Sequence, residues 1–121
     1  MEPRKKFPPG ARVRKTKEYE NVYKTGRKIS KPNLVILYCP NQTSQSRLGI
    51  IASRKVGKVN RRNLIKRRLR EIYRLNRGEL LKGYDLVFIA RRFSPDADYK
   101  QLEREVLEAF SEIKLANDET N

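Results

Sequence analysis

Residues 54–77 constrain this chain more than any other segment, because they contain eleven Lys and Arg and a single acid, Glu71. Within them, apolar residues recur every three or four positions from residue 61 to residue 75, which predicts an amphipathic α-helix. Such a helix must lie at the surface with one face against a core, since its charged face cannot be buried. The segment therefore predicts a small domain that displays a dense cationic helix face.

This helix divides into two faces. Its apolar half consists of Leu64, Ile65, Leu69, Ile72, Tyr73 and Leu75. The opposite arc, about 100° wide, holds Asn63, Lys66, Arg67, Arg70, Arg74 and Arg77. Like charges four residues apart, such as Lys66 and Arg70, repel each other unless an anion compensates. The polar arc therefore indicates a binding site rather than an ordinary solvated face, and its arginines suit phosphates and base edges.

The charge of the whole chain is polarised. Its 121 residues carry a formal net charge of +15, of which residues 54–77 contribute +10, whereas residues 94–121 contribute −5. This pattern predicts a polyanionic partner, and we expect nucleic acid rather than a membrane, because the apolar residues opposite the basic face are needed for a core. The length predicts one domain over residues 1–121, with residues 1–12 as a flexible basic arm and residues 114–121 as a frayed tail.

The composition excludes several kinds of chemistry. There is no His and only one cysteine, Cys39, which excludes imidazole catalysis, internal disulfides and zinc sites built from His and Cys. Eight of the fourteen acids follow Ser94 and the others are scattered, so we expect neither a catalytic residue nor a metal site on the protein. No apolar run approaches the roughly 20 residues of a membrane span, and the cysteine content favours a cytoplasmic location. Cys39 itself is expected to be a buried small hydrophobe.

The remaining segments predict an α+β fold. Residues 17–24 form a short helix that Thr16 caps and Gly26 ends. Residues 34–38 and 48–52 are apolar runs that suggest an antiparallel pair, and residues 84–90 are a third strand. Because the basic helix lies between the last two runs, a βαβ crossover follows.

A last helix begins at Asp98, which with Gln101 resembles a capping box. Its apolar positions recur at helical spacing and are expected to cover the sheet; they are Leu102, Val106, Phe110 and Ile113.

The segment SRKVGKVNRRNLIKRRLRE, residues 53–71, closely resembles the signature of the bacterial ribonuclease P protein component. That family has a Lys-rich, Gly-containing loop followed by Arg-Asn-Arg, Lys-Arg and Arg-Glu. The resemblance extends upstream to Tyr19, Val22, Tyr23 and Gly26 and to residues 47–50, and it covers about residues 13–110. Leu64 stands where the family has the second Arg of Arg-Asn-Arg, so we expect no RNA contact from that position.

The resemblance implies an α/β sandwich with a mostly antiparallel four-stranded sheet, three helices and a left-handed βαβ crossover like that of a ribosomal-protein domain. It implies a protein subunit of ribonuclease P that binds the catalytic RNA and the 5′ leader of precursor tRNA, and so assists removal of the leader. The chemistry would be done by the RNA subunit with Mg²⁺ that the RNA mainly holds, and one protein per RNA is expected.

Two groups of binding residues are expected. The resemblance itself implies Arg62, Asn63, Lys66, Arg67 and Arg70 in the first group and Tyr19 and Tyr23 in the second, and nearby cations and Tyr38 are added to them from their charge and position. Those expected to contact the RNA subunit are Arg54, Lys55, Lys58, Arg62, Asn63, Lys66, Arg67, Arg70 and Arg74. Those expected to contact the leader are Lys15, Tyr19, Tyr23 and Tyr38. Tyr19 and Tyr23 lie four residues apart on one helix face, as stacking platforms for unpaired bases would, although aromatics at this spacing are equally consistent with a core.

Two other functions fit parts of the sequence. The charge alone would suit a ribosomal or RNA-chaperone protein with no role in tRNA processing. A DNA-binding regulator could place residues 61–75 in a major groove, but no helix–turn–helix partner precedes them.

Overall fold

The computed structural model describes residues 12–13, 16–79 and 83–119. These residues form three helices and four strands, in the order α1 (Thr16–Thr25), β1 (Arg27–Ser30), β2 (Leu34–Pro40), β3 (Arg47–Ile51), α2 (Val59–Asn76), β4 (Tyr84–Ala90) and α3 (Tyr99–Glu119). Short 3₁₀ turns at Arg54–Val56, Arg77–Glu79 and Ser94–Asp96 join some of them. Apart from Arg12, the predicted basic arm lies outside the described residues.

The strands form one mixed sheet in the order β1-β2-β4-β3. β1 and β4 both pair with β2 antiparallel, whereas β3 pairs with β4 parallel. The mostly antiparallel sheet and the β3–α2–β4 crossover are thus confirmed, and the left-handed sense of the crossover stays a prediction. The expected antiparallel pair of residues 34–38 with 48–52 is wrong, because β4 lies between those strands. β4 is buried on both faces, and such a strand belongs at the centre of a sheet.

The alternation of side chains along β2 separates the two faces of the sheet. Leu34, Ile36 and Tyr38 point into the larger core, which α2 and α3 complete. Cys39 points the other way and packs with Val22 of α1. α1 therefore covers the opposite face of the sheet from α2 and α3.

The end of α1 is as predicted. The helix stops at Thr25, and the Gly26 N–H donates to the Val22 carbonyl at 2.8 Å. A Cβ at position 26 would lie 2.3 Å from that carbonyl oxygen, so this close approach requires glycine. Thr16, expected as the cap, instead belongs to the first turn of the helix.

The basic helix α2 starts two residues earlier than expected, at Val59, and ends at Asn76. Arg77 follows in a right-handed conformation and leads into a 3₁₀ turn. A Cβ at Gly78 would meet nothing within 4 Å. Neither a close contact nor a positive φ therefore requires glycine at position 78.

The acidic helix α3 has its four predicted apolar positions fully buried against the sheet. Asp98 precedes its first turn, and its carbonyl accepts the Leu102 N–H at 3.0 Å. The helix continues to Glu119, so residues 114–119, expected to fray, are helical. In the described part of the chain, none of the helices has the length and apolar character that a membrane span needs.

Candidate nucleic-acid interface

One side of α2 anchors the helix and the other displays cations. Ile65, Leu69, Ile72 and Tyr73 are buried in the larger core. The side chains that face away form what we call the basic face: Asn63, Lys66, Arg67 and Arg70. All of these are exposed except Lys66, which is half-buried.

The cations of the basic face stand outside the ion pairs that the described residues form. Within residues 12–13, 16–79 and 83–119, no ion pair engages Lys66, Arg67 or Arg70. Arg74, predicted to belong with them, instead bonds Glu71 through its Nη2 at 2.6 Å. Uncompensated like charges on adjacent turns repel, so this surface is suited to an anion.

Arg62 and Leu64 lie at the margins of this face, and both are half-buried. The Arg62 Nε is buried and has no hydrogen-bond partner in the described part of the chain. Burying a guanidinium donor without an acceptor costs free energy. A binding partner that supplies an acceptor to the Arg62 Nε would remove this cost.

The loop that precedes α2 adds three exposed cations, Arg54, Lys55 and Lys58. Gly57 lies between them with a φ of 136°, a conformation that other residues rarely adopt. Its Cβ, if present, would be 3.0 Å from the Arg61 side chain. The turn that presents these cations therefore requires glycine at position 57.

The second candidate surface lies on the α1 side of the sheet and consists of Tyr19 and Tyr23 with Leu37, Ile51 and Ile89; we call it the α1 surface. Tyr19 and the three aliphatic residues pack against the small cluster beneath α1, yet all remain half-buried. Tyr23 is 51% exposed. Because α1 is only ten residues long, it leaves part of the apolar sheet surface uncovered. The sequence pattern did not indicate this exposed surface.

One of the predicted leader contacts lies away from this surface. Tyr38 is 7% exposed and packs edge-on to Tyr84, with ring centroids 6.0 Å apart, in the core on the other side of the sheet. Its position in the strand decides this, because neighbouring residues of β2 point to opposite faces, and Leu37 is the residue that faces α1. Tyr38 is therefore corrected to a core residue. Lys15 lies outside the described residues.

Tyr19 rests directly on the backbone of β3. A Cβ at Gly49 would lie 2.5 Å from the Tyr19 hydroxyl oxygen, so the ring occupies space that only glycine leaves free. Burial raises the pKa of Tyr19 above its usual value, which keeps the hydroxyl protonated as a donor. Tyr19 is thus a wall of the α1 surface with one edge packed and another accessible.

An ion-pair network fixes α1 on the sheet. Arg47 of β3 donates to both carboxylate oxygens of Asp85, at 2.7 and 2.6 Å, and also bonds Glu18 of α1. Asn41 donates to Asp85 at 2.9 Å. The hydrogen bond to Asp85 raises the pKa of Arg47. Because Asp85 is buried, this network ties the first turn of α1 to the strands beneath Tyr19.

A cleft of about 230 Å³ joins the two candidate surfaces at the edge of β3. Tyr19 and Gly49 line it from the α1 side, and Lys66 and Arg70 line it from α2. The other lining residues are Arg12, Val13, Leu48 and Ile50. An aromatic ring and three cations therefore surround one opening, a combination suited to a nucleotide base and its phosphates.

The described residues offer little for metal binding or catalysis. They contain no cluster of three or more His, Cys, Asp or Glu side chains that could hold a metal ion. Asp85 and Glu18 are already bonded to Arg47. Cys39 is buried, as predicted, and burial raises the pKa of its thiol, which lowers its reactivity.

Known proteins resemble this chain over most of its length. A family model described as Ribonuclease P matches residues 7–114. The ribonuclease P protein component of Clostridium botulinum (strain Langeland) is 44% identical over 107 residues, which cover 88% of this chain and 96% of the relative. That of Petrotoga mobilis is 37% identical over 107 residues, covering 85% and 91%.

Solved structures also share the fold. The RNase P protein of Staphylococcus aureus superposes with a TM-score of 0.75 at 30% identity, covering 87% of this chain and 95% of that chain. The RNase P protein of Thermotoga maritima gives a TM-score of 0.75 at 34% identity, covering 82% and 94%. These similarities confirm the α+β fold, and the range matched by the family model includes every residue of the two surfaces.

Proposed function

The chain belongs to the ribonuclease P protein family, and we propose that it binds the catalytic RNA through the basic face and the 5′ leader of precursor tRNA through the α1 surface. It is a subunit of a tRNA-processing ribonuclease and associates with ribonuclease P RNA and the tRNA substrate. In this proposal the protein assists removal of the leader, while the RNA subunit performs the cleavage. One protein binds each RNA subunit.

The observation that carries the proposal is the cleft at the edge of β3. Tyr19 from α1 and the unpaired cations Lys66 and Arg70 from α2 line it together, although they come from helices on opposite faces of the sheet. A single strand that leaves the α1 surface here would meet the cations that bind the RNA subunit. The protein could thereby hold the leader and the RNA subunit in a fixed relation.

Each surface has its own physical role. The basic face lowers the repulsion between two RNAs by replacing their counterions, so its contribution to affinity depends strongly on salt. On the α1 surface, unpaired bases stack on Tyr19 and Tyr23 beside the apolar side chains of Leu37, Ile51 and Ile89. Base stacking of this kind tolerates any leader sequence. Together they would raise substrate affinity and lower the Mg²⁺ concentration that the RNA needs.

We place Mg²⁺ mainly on the RNA. The donor chemistry of the chain supports this placement, because the acids of the α1 side are bonded to Arg47 and the described residues hold no matching cluster of ligands. Phosphate oxygens of an RNA are hard ligands that suit Mg²⁺. The cytoplasmic location suggested by the cysteine content stays a prediction.

The test is cleavage of a 5′-labelled precursor tRNA by a bacterial ribonuclease P RNA at low Mg²⁺ and physiological salt, with and without the protein. We expect stimulation that grows with leader length and then levels off. Tight RNA binding without stimulation would overturn the proposal in favour of a ribosomal or RNA-chaperone role. Preference for duplex DNA over structured RNA would instead revive the DNA-binding alternative.

Variants separate the two surfaces. Tyr23→Ala removes an exposed ring, and we expect leader-dependent affinity to fall by about 1–3 kcal/mol, whereas Leu115→Ala, at an even more exposed position on α3, should change nothing. Arg70→Ala should reduce the slope of log K against log salt for the RNA subunit by about 0.7–0.9. Arg104→Ala, an exposed arginine on α3, is its control, and equal slopes for both variants would contradict the proposal.

A further inference from the structure

The carboxyl ends of β3 and β4 form a second basic region that the proposed function does not use in full. The two strands are parallel neighbours, so the segments that follow them emerge at the same edge of the sheet. Arg54, Lys55 and Lys58 follow β3, and all three are exposed. After β4 come Arg91, Arg92 and Phe93, which are exposed as well. This edge therefore presents five cations and one aromatic ring.

Phe93 is the unusual member of this group. It is 67% exposed, whereas Phe88 and Phe110, the other phenylalanines in the described residues, are buried in the core. The guanidinium carbon of Arg92 lies 5.5 Å from the centroid of the Phe93 ring, within the range of a cation–π contact. An Arg beside an otherwise accessible ring is the arrangement on which an unpaired base can stack while the guanidinium meets its phosphate.

The turn that carries Phe93 is held firmly in place. Its residues Ser94 and Pro95 are buried. The Pro95 carbonyl accepts a hydrogen bond from the Arg68 Nη1 at 3.1 Å, and Asp96 pairs with the Arg61 Nη2 at 2.9 Å. A ring fixed in this way loses little freedom when a ligand binds, which favours affinity.

These contacts also assign a role to two cations of α2 that lie outside the basic face. Arg68 falls within the apolar half of the helix and Arg61 lies at its first turn, and both bond the turn after β4. The turn therefore moves with α2 and stays beside its N-terminal half. A nucleic acid bound along the basic face would extend naturally toward Phe93.

We propose that Phe93 stacks on an unpaired nucleotide of the RNA subunit, with Arg91 and Arg92 neutralising the adjoining phosphates. The inference rests on the proposed function and adds a contact to the RNA-binding surface. The RNA subunit is the occupant rather than the leader, because the turn is tied to α2, whereas Tyr19 and Tyr23 lie on the helix that covers the other face of the sheet. The concentration of cations distinguishes Phe93 from an isolated exposed apolar residue, which would need no explanation.

Fluorescence gives a direct test, because the chain contains no tryptophan. Phe93→Trp introduces a single reporter whose emission a stacked base quenches. The full-length variant is titrated with ribonuclease P RNA and, separately, with precursor tRNA, while a gel shift records complex formation. We expect saturable quenching by the RNA subunit. Leu115→Trp, at a position 63% exposed on α3, is the matched control and should show no quenching.

Affinity gives a second readout. Phe93→Ala should weaken binding of the RNA subunit by about 5-fold to 150-fold, the range for losing one base stack, and Phe93→Tyr should restore it. Because the ring is exposed, none of these variants should disturb folding. Unchanged affinity of Phe93→Ala together with an unquenched Phe93→Trp in a formed complex would overturn the inference, as would quenching by precursor tRNA alone.

The outcomes distinguish this inference from the proposed function. If the wild-type protein stimulates leader removal but Phe93→Ala binds the RNA normally and Phe93→Trp is not quenched in the complex, only the stacking site is wrong. If the wild-type protein gives no stimulation while the RNA still quenches Phe93→Trp, the proposed function fails and the stacking contact is supported.

Discussion

The two faces of the sheet differ in how completely they are covered. On one face, α2 and α3 together bury an extensive core in which Tyr73 meets Phe88 and Phe110 edge-on, at centroid distances of 6.2 and 6.3 Å. On the other, the buried apolar cluster beneath α1 consists, within the described residues, of Val22, Cys39 and Val87, and the neighbouring aliphatic residues are half-exposed. The difference shows how a small RNA-binding domain divides its sheet. One face supplies stability, and the other leaves apolar surface exposed, where we propose that the leader binds.

The means of attachment differ as well. The core face is held by apolar contacts, whereas α1 is also tied down by the Arg47 network with Glu18 and Asp85. A short helix with few buried residues gains little from burial alone. The ion pairs therefore set the position of α1, and with it the height of Tyr19 above β3, without covering the surface that a leader would need.

The largest effect expected from this comparison follows removal of a core aromatic. Phe88→Ala should lower the free energy of unfolding by about 3–5 kcal/mol, because the ring is fully buried and its removal leaves a cavity. Urea unfolding followed by circular dichroism measures this. Phe93→Ala, which removes the same side chain at an exposed site, should change stability by no more than about 0.5 kcal/mol. Similar losses from both variants would show that the core face does not supply the stability assigned to it.

A smaller effect is expected on the α1 side. Gly49→Ala should lower the free energy of unfolding by about 1–3 kcal/mol, the usual cost of overpacking, because the new Cβ overlaps the Tyr19 ring. The ring must shift, so leader-dependent stimulation should fall while the salt slope for the RNA subunit is unchanged.

Gly78→Ala is the control for this variant, since a Cβ at position 78 meets nothing within 4 Å. It should fold and bind as the wild type does. Equal stimulation by Gly49→Ala and the wild type would mean that the placement of Tyr19 on β3 does not matter for leader binding.

The sequence was sufficient to predict the elements with strong periodicity. The burial of Ile65, Leu69 and Tyr73 against the core and the exposure of Arg67 and Arg70 follow from helical spacing alone, because one face of α2 is apolar and the other is charged. The buried positions of α3 were equally clear. Local pattern decides such features, and distant partners do not change them.

Features that depend on distant partners could not be predicted in this way. β1 is four residues long with Ile29 as its only apolar residue, so it has no strand signal of its own. The insertion of β4 between β2 and β3 depends on burial from both sides, which a local pattern does not report. A continuous apolar run also does not show which residues of β2 point toward α1. Tyr38 was therefore expected among the leader contacts, although Leu37 is the residue that faces α1.

The candidate site was predictable to a similar degree. The cations of α2 were found by their chemistry and spacing, and the tyrosines of α1 by the resemblance to the ribonuclease P protein family. The tertiary structure was needed to show that these side chains meet at one cleft and that Arg74 pairs with Glu71. It was also needed to show the apolar side chains of the α1 surface. Their roles in binding remain predictions that the variants above address.

The smallest effect concerns the response of the core face to alkaline pH. Burial raises the pKa of Tyr73 to about 12 in the folded protein, whereas an unfolded tyrosine ionises near 10. The neutral ring therefore stabilises the fold fully below pH 10, and this contribution is lost as the pH rises from about 10 to 12. At pH 11 the expected loss from Tyr73 is on the order of 1 kcal/mol.

Tyr73→Phe removes the ionisable group while keeping the ring in the core. Urea unfolding of both proteins at pH 8 gives the cost of the missing hydroxyl, and the same measurement at pH 11 gives the alkaline loss. We expect the variant to lose less stability than the wild type between these two pH values. Equal losses would mean that water enters the core around Tyr73 and that the Tyr73 hydroxyl ionises readily. The contrast in burial between the two faces of the sheet would then be lost.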